Sequence, residues 1–139
     1  MSKNLSSAMV FIGRVLLVLL FLPAGLGKIT DFAGTVGYIN SVGLPFANLA
    51  AVAALLIEIF GSLCLLVGYQ TRAASMVLAV FTLIATFFFH NYWAAPSEQA
   101  FVAQLLFFKN IAVVGGLLIL AAQGAGTWSL DARREKLNS

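Results

Sequence analysis

Three ionisable side chains stand inside long apolar stretches of this sequence: Arg14, Glu58 and Lys109. A charge at the centre of a membrane-embedded helix costs about 2.5–3.5 kcal/mol on an insertion scale, so such residues are rare, face inward and tend to mark function. Three unpaired charges would together cost about 8–10 kcal/mol, comparable to the stability of a whole domain. They must therefore compensate one another. One carboxylate cannot neutralise two cations, so the interior that holds all three carries a spare positive charge. Loss of a lysine proton, water, or an anionic or carbonyl-bearing ligand would relieve it. The plainer alternative is that Glu58 pairs with Arg14 or Lys109 only to hold helices in register.

Other polar groups line up with that interior. Ser75, Thr82, Thr86 and His90 are spaced by seven, four and four residues, which places them on one helical face. The bland reading of the Ser/Thr stripe is inter-helix hydrogen bonding, and His90 beside Asn91 also suits an interfacial position. Lys28 and Asp31, three residues apart, read either as a snorkelling lysine with a local partner or, together with His90, as the entrance of a cavity. Glu58 shares a face with Ala54, Gly61 and Ser62, and Lys109 with Ala112, Val113 and Gly116, small residues that let helices approach closely. The candidate ligand-binding residues are thus Arg14, Glu58, Lys109, His90, Lys28 and Thr86. Cys64, flanked by leucines, reads as packing, and the Phe87-Phe88-Phe89 run as lipid-facing or packing groups. A single cysteine and a single histidine exclude an internal disulfide, a thiolate cluster and bis-histidine haem within one chain, so no metal is expected.

The elements that must carry these residues follow from composition. Of 139 residues, 61% are hydrophobic and 9% charged, against about 25% charged in an ordinary soluble chain. A chain of this size buries only about two-thirds of its surface on folding, so in water it would expose much apolar area. A soluble monomer and a disordered chain are both excluded, and the bilayer is the expected solvent and partner. Runs of about 20 apolar residues fall at 8–27, 46–67, 73–90 and 101–122. Turn chemistry separates them: Thr30-Asp31 with Gly34, Gly43-Leu44-Pro45, then Gly68 through Arg72, then 91–99 around Pro96. Continuous rather than alternating hydrophobicity favours helices over a barrel. The expected fold is an all-α, integral-membrane four-helix bundle, a single domain over 1–139 with a polar tail at 123–139. Residues 34–42 are too short to span and suit a brief interfacial helix anchored by Tyr38.

Charge sets the expected orientation. With four crossings both termini and the middle loop share one side, which holds Lys3, Arg72, Arg133, Arg134 and Lys136, whereas the other side holds Lys28. The positive-inside rule then places both termini in the cytoplasm. The first apolar run is interrupted by Arg14 and lacks a clean cleavage site, so it reads as an uncleaved helix rather than a signal peptide. The net charge of +3 sits at segment ends, where anionic headgroups explain it better than nucleic acid does.

An ordered set of short motifs runs through the chain: Arg14; Phe21 to Lys28 as F-x-x-A-G-x-x-K; Gly43-Leu44-Pro45; Glu58 to Gly61 as E-x-x-G; and Gly68 to Arg72 as G-x-x-T-R. Phe89-His90, Lys109-Asn110, Gly115-Gly116 and Gly124 to Asp131 as G-x-G-x-x-S-L-D complete it. This set resembles the DoxX family of small bacterial inner-membrane proteins. The resemblance implies a four-helix inner-membrane protein and, from relatives described as membrane subunits of quinone-linked oxidoreductases or oxidant-detoxifying complexes, a quinone- or small-ligand-binding subunit. No covalently bound cofactor is expected, and a quinone is the cofactor that the resemblance brings in. A homo-oligomer or a redox partner subunit would complete such a complex, because no haem, flavin or iron–sulfur motif is present. Catalysis by this chain alone is left open. The competing functions are a small-anion or proton transporter and a non-catalytic scaffold.

Overall fold

The computed structural model describes residues 2–138; Met1 and Ser139, the ends of the expected single domain, lie outside them. The described chain is helical: α1 (Lys3–Thr30), α2 (Phe32–Ser41), α3 (Ala47–Val67), α4 (Thr71–Phe89), a short 3-10 turn (Tyr92–Ala94), α5 (Ser97–Gln123) and α6 (Leu130–Asn138). Four of these, α1, α3, α4 and α5, are long and apolar enough to cross a membrane. They are longer at several ends than hydropathy alone predicts, because polar residues flanking the apolar runs also take up helical turns. Ser2 caps α1 by accepting from the Leu5 N–H, and α5 begins directly after Pro96.

The long helices pack in series, α1 on α3, α3 on α4 and α4 on α5, with α2 laid against α3. Their shared core holds Val18, Phe21, Leu65, Leu78, Leu117 and Leu120. A satellite cluster of Ile39, Ala47 and Ala51 fixes α2 to the start of α3. The outer faces remain apolar: Leu19 is 64% exposed, Phe60 61% and Ile119 66%. Exposed apolar surface on this scale belongs against lipid. The brief helix expected at 34–42 is α2, and its Tyr38 ring lies 5.0 Å from the Phe89 ring. It therefore links α2 to the end of α4.

At the end of the bundle that bears both termini, polar contacts tie the end of α5 and the segment after it onto the α3–α4 loop, the start of α4 and α1. Asp131 accepts from the N–H groups of Gln70 (2.8 Å) and Thr71 (2.9 Å), capping the start of α4, and its own N–H donates to the Gly68 carbonyl. Arg72 donates to the carbonyls of Ala121, Ala122 and Gln123, which the end of α5 leaves unpaired. Thr127 donates to Ser7 on α1 at 2.7 Å.

Candidate functional site

A cavity of about 990 Å³ opens among α1, α2, α3, α4 and α5 towards the end opposite the termini. Its walls are mainly apolar, with Ile57, Val80, Phe81 and Phe88 among them, and its ionisable groups are Lys28, Asp31, Tyr38, Glu58, His90 and Lys109. The volume lies at the upper end of small-molecule sites, which run to about 1,000 Å³.

Glu58 is the most buried of these groups. It sits about 16 Å along α3 from that helix's start and is 6% exposed. The Lys28 ammonium donates to both carboxylate oxygens, at 2.7 and 3.0 Å. The local sequence explains the reach. At Gly25, one turn before Lys28, a Cβ would stand 2.7 Å from Ile59 Cγ1 and 3.1 Å from Glu58 Cβ, so only glycine lets α1 come this close to α3. The Ser62 hydroxyl donates to the Glu58 backbone carbonyl and stiffens the turn below it. Sequence alone offers Arg14 and Lys109 as partners for Glu58. The partner is Lys28, which the sequence places at the helix end with a nearby acid.

Arg14 is not in the cavity. It is fully buried near the termini, with its guanidinium donating to the carbonyls of Leu65 (3.0 Å) and Trp128 and lying 5.4 Å from the Phe11 ring centroid. The expected meeting of Arg14, Glu58 and Lys109 in one pocket does not occur. Backbone carbonyls at the end of α3 and in the 124–129 segment were not among the partners a count of charged residues could suggest. Gly68 makes this possible: its φ is +69°, and a Cβ there would collide with the Arg14 guanidinium and Ser129.

Lys109, about 18 Å along α5, lines the cavity, and among the described residues it has no hydrogen-bond or ion-pair partner. The spare cation expected from Arg14 and Lys109 beside one Glu58 does not arise, because Lys28 and Lys109 share the wall with two carboxylates, Glu58 and Asp31. The remaining acid on the wall, Asp31, caps α2 by accepting from the Gly34 N–H at 3.0 Å. His90 ends α4 and also faces the cavity. Thr86, expected as a ligand contact, is fully buried and donates to the Thr82 carbonyl at 2.6 Å. Its neighbour on the stripe, Thr82, is the residue that reaches the wall. Thr82 is 5% exposed, and its hydroxyl has no partner.

A second groove of about 500 Å³ runs between α1 and α5, lined by Gly13, Leu17, Val113 and Gly116 among others, with no ionisable side chain. No group of three or more potential metal ligands occurs among the described residues.

Four apolar helices around an ion-paired interior define a multi-pass helical membrane protein. The DoxX family model matches residues 9–91, which include Arg14, Lys28, Glu58 and His90, and the chain belongs to that family. It is 40% identical to the inner membrane protein YqjF of Escherichia coli K12, across 93% of this chain and 94% of that protein. It is 33% identical to the inner membrane protein YphA of the same organism, across 90% and 89%. The yeast ER-derived vesicles protein ERV29 is 24% identical over 91% of this chain, but only 34% of its own length. No solved structure matches the chain.

Proposed function

We propose that this protein binds a quinone or a similar amphipathic redox ligand in the cavity between α1, α3, α4 and α5, as the membrane subunit of a redox or oxidant-detoxifying complex. The observation that carries this reading is the cavity itself, an apolar slot with a buried ion pair and an unpaired lysine on its wall. The donor set fits such a group. Lys109 and the free Thr82 hydroxyl suit carbonyl oxygens, while the apolar wall accommodates the tail. A bound quinone supplies a two-electron, two-proton couple. The Glu58 carboxylate and the His90 imidazole are the wall groups that can accept and pass on a proton, and the cations favour reduced, anionic forms. Electrons come from a partner subunit.

A photoreactive azidoquinone, cross-linked to the purified protein and mapped by peptide mass spectrometry, tests this. Adducts are expected on cavity residues of α3 and α4, and excess unlabelled quinone should suppress them. Adducts confined to the α1–α5 groove, or not suppressed by competitor, would overturn the reading. We also place both termini in the cytoplasm of the bacterial inner membrane, on the Lys/Arg asymmetry between the two sides. Alkaline phosphatase fused after α6 should be silent, and fused within 91–96 it should be active; the reverse pattern refutes the orientation.

A further inference from the structure

The helices α1 and α5 are the two ends of the packing series, and the groove of about 500 Å³ lies between them. On α1 it follows Ser6, Val10, Gly13, Leu17 and Leu20, alternately four and three residues apart, which is one helical face. Val113, Gly116 and Gln123 face it from α5. Val10, Leu17 and Val113 pack on the bundle core and form the floor, while a Cβ at Gly13 or Gly116 would meet nothing within 4 Å. The α5 wall runs about 15 Å from Gln123 to Val113 and the α1 wall about 21 Å. That is the depth of one leaflet, half of an about 30 Å hydrocarbon core, with a turn to spare at the headgroups. The volume spread over this length leaves a slot about 5–7 Å across, against about 10–12 Å for a helix with its side chains. A helix of a second copy is too wide for it, and a single hydrocarbon chain fits.

Polar side chains occur on the groove only at the end that bears the termini, as Ser6 on one wall and Gln123 on the other. Lys3 lies one turn beyond Ser6 on the same face of α1 and has no ion-pair partner among the described residues. That end also carries Arg72, Arg133, Arg134 and Lys136 against Asp131 and Glu135, so its surface is positive and complements anionic headgroups. We infer that the α1–α5 groove is a binding site for an anionic phospholipid of the leaflet on the termini side. One acyl chain fills the slot beside Gly13 and Gly116, and the phosphate sits at the polar end with Lys3 and Ser6. The chain occupies the space that the two glycines leave open and so joins α1 to α5. This site is separate from the cavity and rests on no part of the redox-ligand reading.

The test uses the whole protein in phosphatidylcholine nanodiscs that carry a trace of photoreactive lipid, either phosphatidylglycerol or phosphatidylcholine with the same diazirine-bearing acyl chain. Adducts are mapped by peptide mass spectrometry. On 9–20 and 113–123 the phosphatidylglycerol probe should give at least about fivefold more adduct than the phosphatidylcholine probe. On the exposed outer faces of α3 and α4, around Phe60 and Ile84, the two probes should label alike. Lys3→Gln should lower the groove ratio by about fivefold. Gly13→Leu combined with Gly116→Leu should fill the slot and remove groove labelling by both probes, whereas the corresponding double alanine variant should retain it. In the unaltered protein, a groove ratio near one, or phosphatidylglycerol adducts spread evenly over all the lipid-facing helices, overturns the inference whether or not the variants fold.

Discussion

Removing one partner of the Lys28–Glu58 pair leaves the other charge at membrane depth with no counter-ion. Lys28→Met or Glu58→Leu should therefore destabilise the protein by about 2–3 kcal/mol each. The double variant should recover about 1–3 kcal/mol of the summed loss as coupling energy. Thermal unfolding in detergent measures this, and additive losses would show that the pair is not a unit. The exchange Lys28→Glu with Glu58→Lys should restore folding, while changing the cavity wall enough to alter ligand binding; a scaffold that needs charge only for register would be indifferent to it. At this scale the sequence was informative about residue type and depth. That Glu58 needs a cation follows from counting charges. Which cation pairs with which anion does not, because the geometry depends on Gly25 drawing α1 against α3 and on Arg14 finding carbonyl oxygens. Backbone acceptors are present at every position and leave no mark in a sequence.

Short polar segments at the end that bears the termini hold the helices together. Burial alone would raise the Asp131 carboxyl, but the Thr71 and Gln70 N–H groups and the nearby Arg134 charge outweigh it and hold the group below its ordinary value of 3.8. A carboxyl depressed in the folded state contributes stability that is present above the ordinary value and disappears as pH falls below it. Asp131→Asn should thus cost about 1 kcal/mol at neutral pH and remove that acid-range loss, read as faster amide exchange in α6. Unchanged exchange would show that the cap holds nothing. The glycines divide in the same way. Gly25→Ala should separate α1 from α3 and destabilise, whereas Gly13→Ala and Gly116→Ala, with nothing within 4 Å of the added carbon, should be neutral or gain up to about 1 kcal/mol from helix propensity. Hydropathy reveals the four long helices because each is nearly continuous in apolar residues. The knot of Arg14, Gly68, Arg72 and Asp131 appears in the sequence only as family motifs, since its bonds join positions up to 114 residues apart.

For the molecule as a whole, the lipid-facing exterior and the cavity have separate origins. The exterior follows from composition alone. The cavity exists because α2 and the end of α4 meet through Tyr38 and Phe89 while α5 contributes Lys109 from the other side. Its contents could be anticipated from polar residues at membrane depth, but its walls required the packing order of the helices. The most direct test keeps every charge in place and fills the space. Ala53 lines the cavity on α3, and Ala53→Trp should occupy the slot without touching the Lys28–Glu58 pair. Equilibrium binding of a decyl-chain quinone should be saturable at one site per chain in the unaltered protein and absent in the folded Ala53→Trp protein. Equal saturable binding by both would contradict a ligand site in this cavity.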